Sequence, residues 1–326
     1  MLEEDLTALK GVEPQIAEQL RNAGYTTIEG LAVTPPREIM EKTNIGFNKI
    51  LEIQEAARSM IQLDFKTALE FYKKRKAMGR CTTGSSNVDA LLGGGVESQA
   101  LTEFIGQYGS GKTQLCMTLS VTAQLPREKG GLEGNVVFID TEGTFMPERV
   151  YEIASKMSLE AAVVAKNILV GRAYNSSHQC LLIDRLFTLC KENNVKLVVV
   201  DSMISHFRGE YIGRETLAER QQMLNQYLHK LVRLAEAYNV AVVVTNQVQA
   251  NPDPSFRIGE RPAGGNVMAH ACTHRIYLYK GSKGVRTAKV IDSPYLPEEK
   301  TSFLITEKGI ENAPEKGQQE EFPYDA

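Results

Sequence analysis

Gly106-Gln107-Tyr108-Gly109-Ser110-Gly111-Lys112-Thr113 fits the pattern G-x-x-x-x-G-K-[ST] in full, and its surroundings decide the fold. Residues 101–105, just upstream, read as a buried strand; residues 112–125 read as the helix that follows. A strand feeding a Gly-rich turn that opens a helix aims backbone N–H groups and the positive end of the helix dipole at phosphates. Lys112 is expected to reach the β- and γ-phosphates of ATP, and the Thr113 hydroxyl to ligate Mg²⁺. The bland alternative, a chance Gly-rich turn, does not account for the strand before it and the helix after it.

Working outward, strands are expected at 136–140, 167–170, 196–201 and 241–246, with helices at 148–157, 179–192 and 216–238 between them. The last helix is amphipathic, with Leu217, Leu224, Leu228, Leu231 and Ala235 on one face. Such alternation predicts an α/β fold, a mostly parallel twisted sheet with helices on both sides, extended by strands at 275–280, 285–291 and 302–306.

Ligands of open α/β sheets sit outside the carboxyl ends of strands, so polar residues there carry the chemistry. Val198-Val199-Val200-Asp201 ends in the carboxylate expected to hold Mg²⁺ with Thr113; without a phosphate loop it would read as a strand-end cap. Glu142, in Asp140-Thr141-Glu142-Gly143, is placed to orient and polarise an attacking water. Gln247, after Thr245-Asn246, could contact the γ-phosphate and report hydrolysis to the next loop. Two segments follow these strand ends: 207–215 with Arg208, Tyr211 and Arg214 (Arg220 comes next on the helix), and the Gly/Pro-rich 250–267 with Arg257 and Arg261. They are either phosphate-contacting loops or solvated ones, and the residues alone leave both open.

Residues 1–59 carry apolar positions at helical spacing broken by Gly11, Gly24, Pro35-Pro36 and Gly46, which predicts a small all-α domain. Its Leu9-Lys10-Gly11-Val12-Glu13-Pro14 turn is either a hairpin aimed at a DNA phosphate or a plain helix–helix connection. Residues 60–79 form a basic linker, 80–314 the ATPase core, and 315–326 an acidic tail expected to be disordered. The five cysteines show no C-x-x-C pair, which argues against a disulfide framework or a zinc site. No apolar run is long enough to span a bilayer, and the acidic start Met1-Leu2-Glu3-Glu4-Asp5 does not read as a signal peptide, so cytoplasm is the expected compartment. With a net charge of −3, any DNA-binding positive charge must be local.

The order of these parts resembles the RecA-like strand-exchange recombinases, most closely their archaeal RadA branch. The resemblance runs from the turn at Gly11 to about residue 310, and is most specific at Gly109-Ser110-Gly111-Lys112-Thr113-Gln114-Leu115-Cys116, Asp140-Thr141-Glu142-Gly143-Thr144-Phe145, Ser205-His206-Phe207-Arg208 and Asp292-Ser293-Pro294. It implies a RecA-like core behind a helix-hairpin-helix-type domain, with Glu142, Lys112 and Gln247 acting in hydrolysis and residues 106–114 holding the nucleotide. Arg149 would pack on the adenine, and His270, Asp292 and Pro297 would reach a neighbouring subunit's nucleotide, Asp292 also holding a monovalent cation such as K⁺. The two loops become DNA-binding loops, so Arg208, Tyr211, Arg214, Arg220, Arg257 and Arg261 become DNA contacts. Phe65 and Ala68, in Phe65-Lys66-Thr67-Ala68, match a polymerisation motif that inserts into the adjacent protomer. One departure stands out: Glu13 replaces the second glycine of the usual Gly-Val-Gly-Pro hairpin and sets a negative charge where a phosphate would approach.

The resemblance thus implies an ATP-dependent recombinase that forms a homo-oligomeric filament or ring, binds single-stranded DNA and homologous duplex, and acts in recombination and repair on the nucleoid. Mediator proteins would be accessory partners. A regulatory paralogue that assists a recombinase without exchanging strands is the alternative; a RecA-fold motor such as a helicase is the third reading.

Overall fold

The computed structural model describes residues 5–61, 65–213, 215–250 and 260–314, apart from the side chains of residues 250, 260 and 261. Arg214, Arg257, the side chain of Arg261 and the expected tail at 315–326 lie outside the described residues.

Nine strands form the main sheet: β1 (Leu101–Gly106), β2 (Asn135–Asp140), β3 (Ile168–Arg172), β4 (Val195–Asp201), β5 (Ala241–Asn246), β6 (His274–Lys280), β7 (Arg286–Asp292), β8 (Lys300–Thr306) and β9 (Gly309–Asn312). Their spatial order is β9-β8-β7-β6-β1-β5-β4-β2-β3. The pairs from β6 to β3 are parallel, and those among β6 to β9 antiparallel. The reason lies in side-chain alternation. Val136, Phe138, Leu197, Val199, Ala241 and Val243 face one buried core with the helices Lys112–Thr122 and Pro147–Lys156. Their neighbours Val137, Ile139, Val198, Val200, Val242 and Val244 face a second core with the helices Ser176–Glu192 and Leu217–Tyr238. Strands covered on both faces read as continuous apolar runs, which is how these read.

Residues 5–61 build a separate core from Leu6, Leu20, Leu31, Ile39, Ile50 and Ile53, on helices that include Pro14–Asn22 and Phe47–Met60. This small unit docks on the sheet domain through charge: the buried Lys230 ammonium lies 3.0 Å from Glu38 and contacts Asp184. Gly11 takes a left-handed φ of +88°, as a tight turn requires, and Glu13 is exposed at the helix N-terminus with no side-chain cap bond.

Several expectations need correction. Leu217 is 42% exposed because it sits in the first turn of its helix, beyond the reach of the second core, whereas Leu224, Leu228, Leu231 and Ala235 are fully buried. The helix expected to run to residue 125 stops at Thr122, where the chain turns back to pair near Leu125. Short helices at Ser205–Glu210 and Gly265–Ala271 overlap the segments expected to be loops at 207–215 and 250–267, and a two-stranded ribbon joins Val248–Ala250 to Glu260–Pro262. Elements of three to seven residues are too brief to show a period.

Candidate nucleotide and catalytic site

The register brings the chemistry together. Asp140 of β2 lies opposite Asp201 of β4, Val200 opposite Val244 of β5, and Asn246 of β5 opposite Ile105 of β1, so the carboxyl ends of four adjacent strands open into one cleft of about 750 Å³. Gly109 and Gly111 take left-handed φ values of +75° and +104°, and a Cβ at Gly111 would meet Ile305 at 2.9 Å. The loop therefore requires glycine there both for its turn and for its packing. Lys112 Nζ donates to the carbonyls of Gly106 and Gln107 at 2.8 and 2.9 Å, spanning the phosphate cradle. Burial holds this ammonium below the usual lysine range, against the pull of Asp201 and Glu142.

The Thr113 hydroxyl donates to Asp201 Oδ2 at 2.7 Å, and the Thr245 hydroxyl donates to Oδ1. Burial pushes the Asp201 carboxyl above the ordinary aspartate value, and those two hydrogen bonds partly offset it. A hydroxyl and a carboxylate beside a phosphate cradle form a hard oxygen donor set, the kind that suits Mg²⁺ shared between protein and phosphate. Among the described residues no cluster of three or more acidic, His or Cys groups could bind a metal alone.

Glu142 is held by a turn built on Asp140. Oδ1 of Asp140 accepts from the N–H groups of Glu142, Gly143 and Thr144 at 3.0, 2.7 and 3.2 Å. Glu142 Oε1 then accepts from Ser202 Oγ at 2.8 Å and Gln247 Nε2 at 2.7 Å. Gln247 Oε1 accepts in turn from Arg208 at 3.4 Å. Asp140, Ser202, Thr245 and Arg286, which lines the cleft, had no role assigned from sequence. Asp140 alone was readable, since an Asp ahead of a Gly turn commonly caps its own backbone.

The other expected residues divide. Gly106, Gln107, Tyr108 and Gln114 line the cleft, whereas the Ser110 side chain is buried beneath it. Arg149 donates to Gln114 at 2.8 Å and to the Thr306 carbonyl, closing the cleft's flank. His270 is exposed on its helix, Asp292 is exposed at the end of β7, and Pro297 is exposed beyond it. Arg286 and Asp292 occupy opposite ends of β7, about 20 Å apart at strand rise, so Asp292 is remote from its own phosphate cradle. Tyr211 is turned inward, its hydroxyl donating to Met223 sulfur at 2.8 Å, and Arg220 is half-buried. Phe65 is fully exposed at 103%, and Ala68 opens the helix Ala68–Lys76 through a Thr67–Glu70 capping box.

A phosphate loop after the first strand of a largely parallel sheet, a hydroxyl–carboxylate pair for a divalent cation and a glutamate across the cleft define a P-loop ATPase with a RecA-like core. The Rad51 family model matches residues 74–313. Over 306 residues the chain is 50% identical to the DNA repair and recombination protein RadA of Aeropyrum pernix, covering 94% of this chain and 96% of that one. The chain belongs to the Rad51 family.

Proposed function

We propose that this chain is a DNA-dependent ATPase that assembles on single-stranded DNA, pairs it with homologous duplex and exchanges strands, in homologous recombination and double-strand-break repair. The observation that carries the reading is the chain Glu142–Gln247–Arg208, which joins the hydrolysis cleft to the first expected DNA-contacting segment. Lys112 would hold the β- and γ-phosphates of ATP, Arg149 and Gln114 the base side of the nucleotide. Mg²⁺, held by Thr113 and Asp201, would neutralise phosphate charge. Glu142 would take a proton from the attacking water as the bond between the γ-phosphorus and its bridging oxygen breaks, giving ADP and phosphate. Its Oε2, which carries no hydrogen bond among the described residues, is the free acceptor.

DNA contact would come from Arg208, Arg220 and the segments carrying Arg214, Arg257 and Arg261, with Tyr211 pinning the first of them from inside. Backbone contacts suffice, because base pairing supplies the sequence readout.

Assembly would place Phe65 of one protomer in the apolar pocket of the next. Such a pocket, about 370 Å³, lies beside β3 and is lined by Val137, Ile139, Leu169, Gly171, Leu182 and Leu189. Among the described residues β3 ends the sheet, and an edge of that kind can accept an added strand. The contact is head-to-tail and builds a filament or a ring. His270, Asp292 and Pro297 would then meet the neighbour's nucleotide, with K⁺ at Asp292. The unit at 1–59 would serve chiefly as a packing domain, mediator proteins would be accessory partners, and the setting would be the cytoplasmic nucleoid. Among the described residues no helix is long and apolar enough to cross a membrane.

The test is strand exchange between a labelled single strand and homologous duplex with ATP, comparing the parent with Phe65→Glu. Exchange by the parent, lost in the variant while ATP binding survives, is expected. DNA-stimulated hydrolysis without exchange by the parent would overturn the reading in favour of a regulatory paralogue.

A further inference from the structure

Away from the cleft, one buried carboxylate gathers an unusual set of partners. Glu97 ends the short ribbon that pairs Arg80–Cys81 with Val96–Glu97, and its side chain is 1% exposed. Arg75 donates to both its oxygens at 3.1 and 3.2 Å, and Arg80 donates to Oε1 at 3.1 Å. The Tyr295 hydroxyl donates to Oε2 at 3.3 Å, and His274 Nε2 lies at the same distance. On the other side of the imidazole, Nδ1 is 3.0 Å from the Ser293 hydroxyl. The Ser293 oxygen also accepts from the N–H groups of Tyr295 and Leu296, at 3.3 and 3.0 Å, and so shapes the turn after β7. The Arg75 guanidinium lies over the Tyr295 ring, 5.4 Å from its centre, and His274 meets that ring edge-on at 5.4 Å.

These contacts connect two segments that are distant in sequence. Arg75 stands in the last turn of the helix that opens at Ala68, just after Phe65. Ser293 and Tyr295 lie between Asp292 and Pro297. The linker helix buries no residue of its own, so the ion pair and ring contact at Arg75 give it a fixed bearing on the core that packing does not.

We infer that Glu97 is a positioning residue that locks the linker helix to the Asp292–Pro297 turn, so that docking of Phe65 on a neighbour and capping of a nucleotide by Asp292 and Pro297 occur as one event. This rests on the assembly reading above. Glu97 touches neither nucleotide nor neighbour; it acts through Arg75 on one side and through Tyr295, His274 and Ser293 on the other. Removing its charge strands two arginines, frees the helix and loosens the turn. Nucleotide would then bind to assembled protein as though the cap were missing, while an isolated protomer, which has no cap from a neighbour, would bind as before.

The experiment measures the ATP KM of DNA-stimulated hydrolysis in the assembled full chain, and the affinity for a fluorescent ATP analogue in the Phe65→Glu background, each with Glu97 and with Glu97→Gln. The expected result is a KM raised by about fivefold or more in the assembled protein, kcat little changed, and no change of affinity in the Phe65→Glu background. Arg75→Gln and Tyr295→Phe, both at part-exposed side chains, should move the KM in the same direction and carry the test if Glu97→Gln does not fold. Equal losses in both backgrounds, or no shift in the assembled protein, would overturn the inference and leave Glu97 a plain structural ion pair. If Phe65→Glu still assembles, the assembly reading itself falls, an outcome visible by light scattering before any KM is measured.

Discussion

The amide nitrogen of Gln247 donates to Glu142 Oε1 at 2.7 Å, while the carbonyl of the same amide accepts from Arg208. One side chain thus touches both the expected base and an expected DNA contact. A second donor, Ser202, bonds the same carboxylate oxygen. Two hydrogen bonds into one oxygen fix how the carboxylate lies in the cleft, so a DNA contact at Arg208 would reach it through Gln247.

Gln247→Ala is therefore expected to retain ATP binding and basal hydrolysis but to lose most of the DNA stimulation. Hydrogen bonds to charged groups contribute about 1.5–3 kcal/mol, so the stimulated rate should fall by about tenfold or more. Glu142→Gln should bind ATP and reduce hydrolysis by about 10²–10⁴-fold in both conditions. Steady-state ATPase assays with and without single-stranded DNA separate the two. Undiminished DNA stimulation in Gln247→Ala would break the proposed link.

Asp201 leads to a prediction in pH. Its folded carboxyl titrates higher than in the unfolded chain because burial opposes its charge. Below the unfolded value the carboxyl is neutral in both states and this cost is absent; as pH rises through the folded value the cost is felt in full. At neutral pH, without ligands, Asp201→Asn should consequently melt at or above the parent's temperature. Mg²⁺ requires the ionised form, so Mg²⁺–ATP should stabilise the parent strongly, the variant little, and the parent progressively less on acidification towards the raised value. Thermal melts from pH 5 to 8 would check all three; equal stabilisation of both proteins would remove Asp201 from the metal site.

The thiols make a separate case. All five cysteines are buried and free. Burial pushes Cys180 up to about 11 and Cys81 and Cys190 up to about 12, and carries Cys116 and Cys272 well above the usual thiol value. Since the thiolate is the reactive form, the native protein at pH 8 should resist a disulfide-exchange reagent at every cysteine and release five equivalents on denaturation. Rapid labelling of one thiol in the native state would show that its surroundings open.

The central sheet was legible because strands buried on both faces must be apolar throughout: residues 241–246 were delimited to the residue. The phosphate loop was legible for a different reason, since its glycines, lysine and threonine each have one physical task. Ser202 was not, because a supporting hydroxyl is recognised by what it touches across strands, and register does not appear in a single sequence. Glu97 was hidden for the same reason: its partners Arg75, His274 and Tyr295 come from three separate segments. Leu217 erred in the opposite direction, since periodicity marks a helix face without saying how far the core extends beneath it.

Assembly through Phe65 and the β3 pocket can be tested by breaking the two halves separately. Phe65→Glu removes the inserting side chain and leaves the pocket intact. Gly171→Leu does the reverse: even a Cβ at Gly171 would stand 3.2 Å from the Leu182 side chain, so a leucine fills the space an incoming ring needs. Each variant alone should fail to polymerise, because burying an anchor aromatic is worth about 2–4 kcal/mol per contact and its loss recurs at every junction. Mixed in equal amounts, they retain one competent junction between them: Phe65 of the Gly171→Leu protein meets the open pocket of the Phe65→Glu protein. A heterologous contact so restricted can close once and go no further. Analytical ultracentrifugation should accordingly find monomers in each pure sample and heterodimers, without longer species, in the mixture. Filaments in the mixture would mean that another surface carries assembly, whereas monomers throughout would mean that Gly171→Leu damages more than the pocket or that Phe65 docks elsewhere.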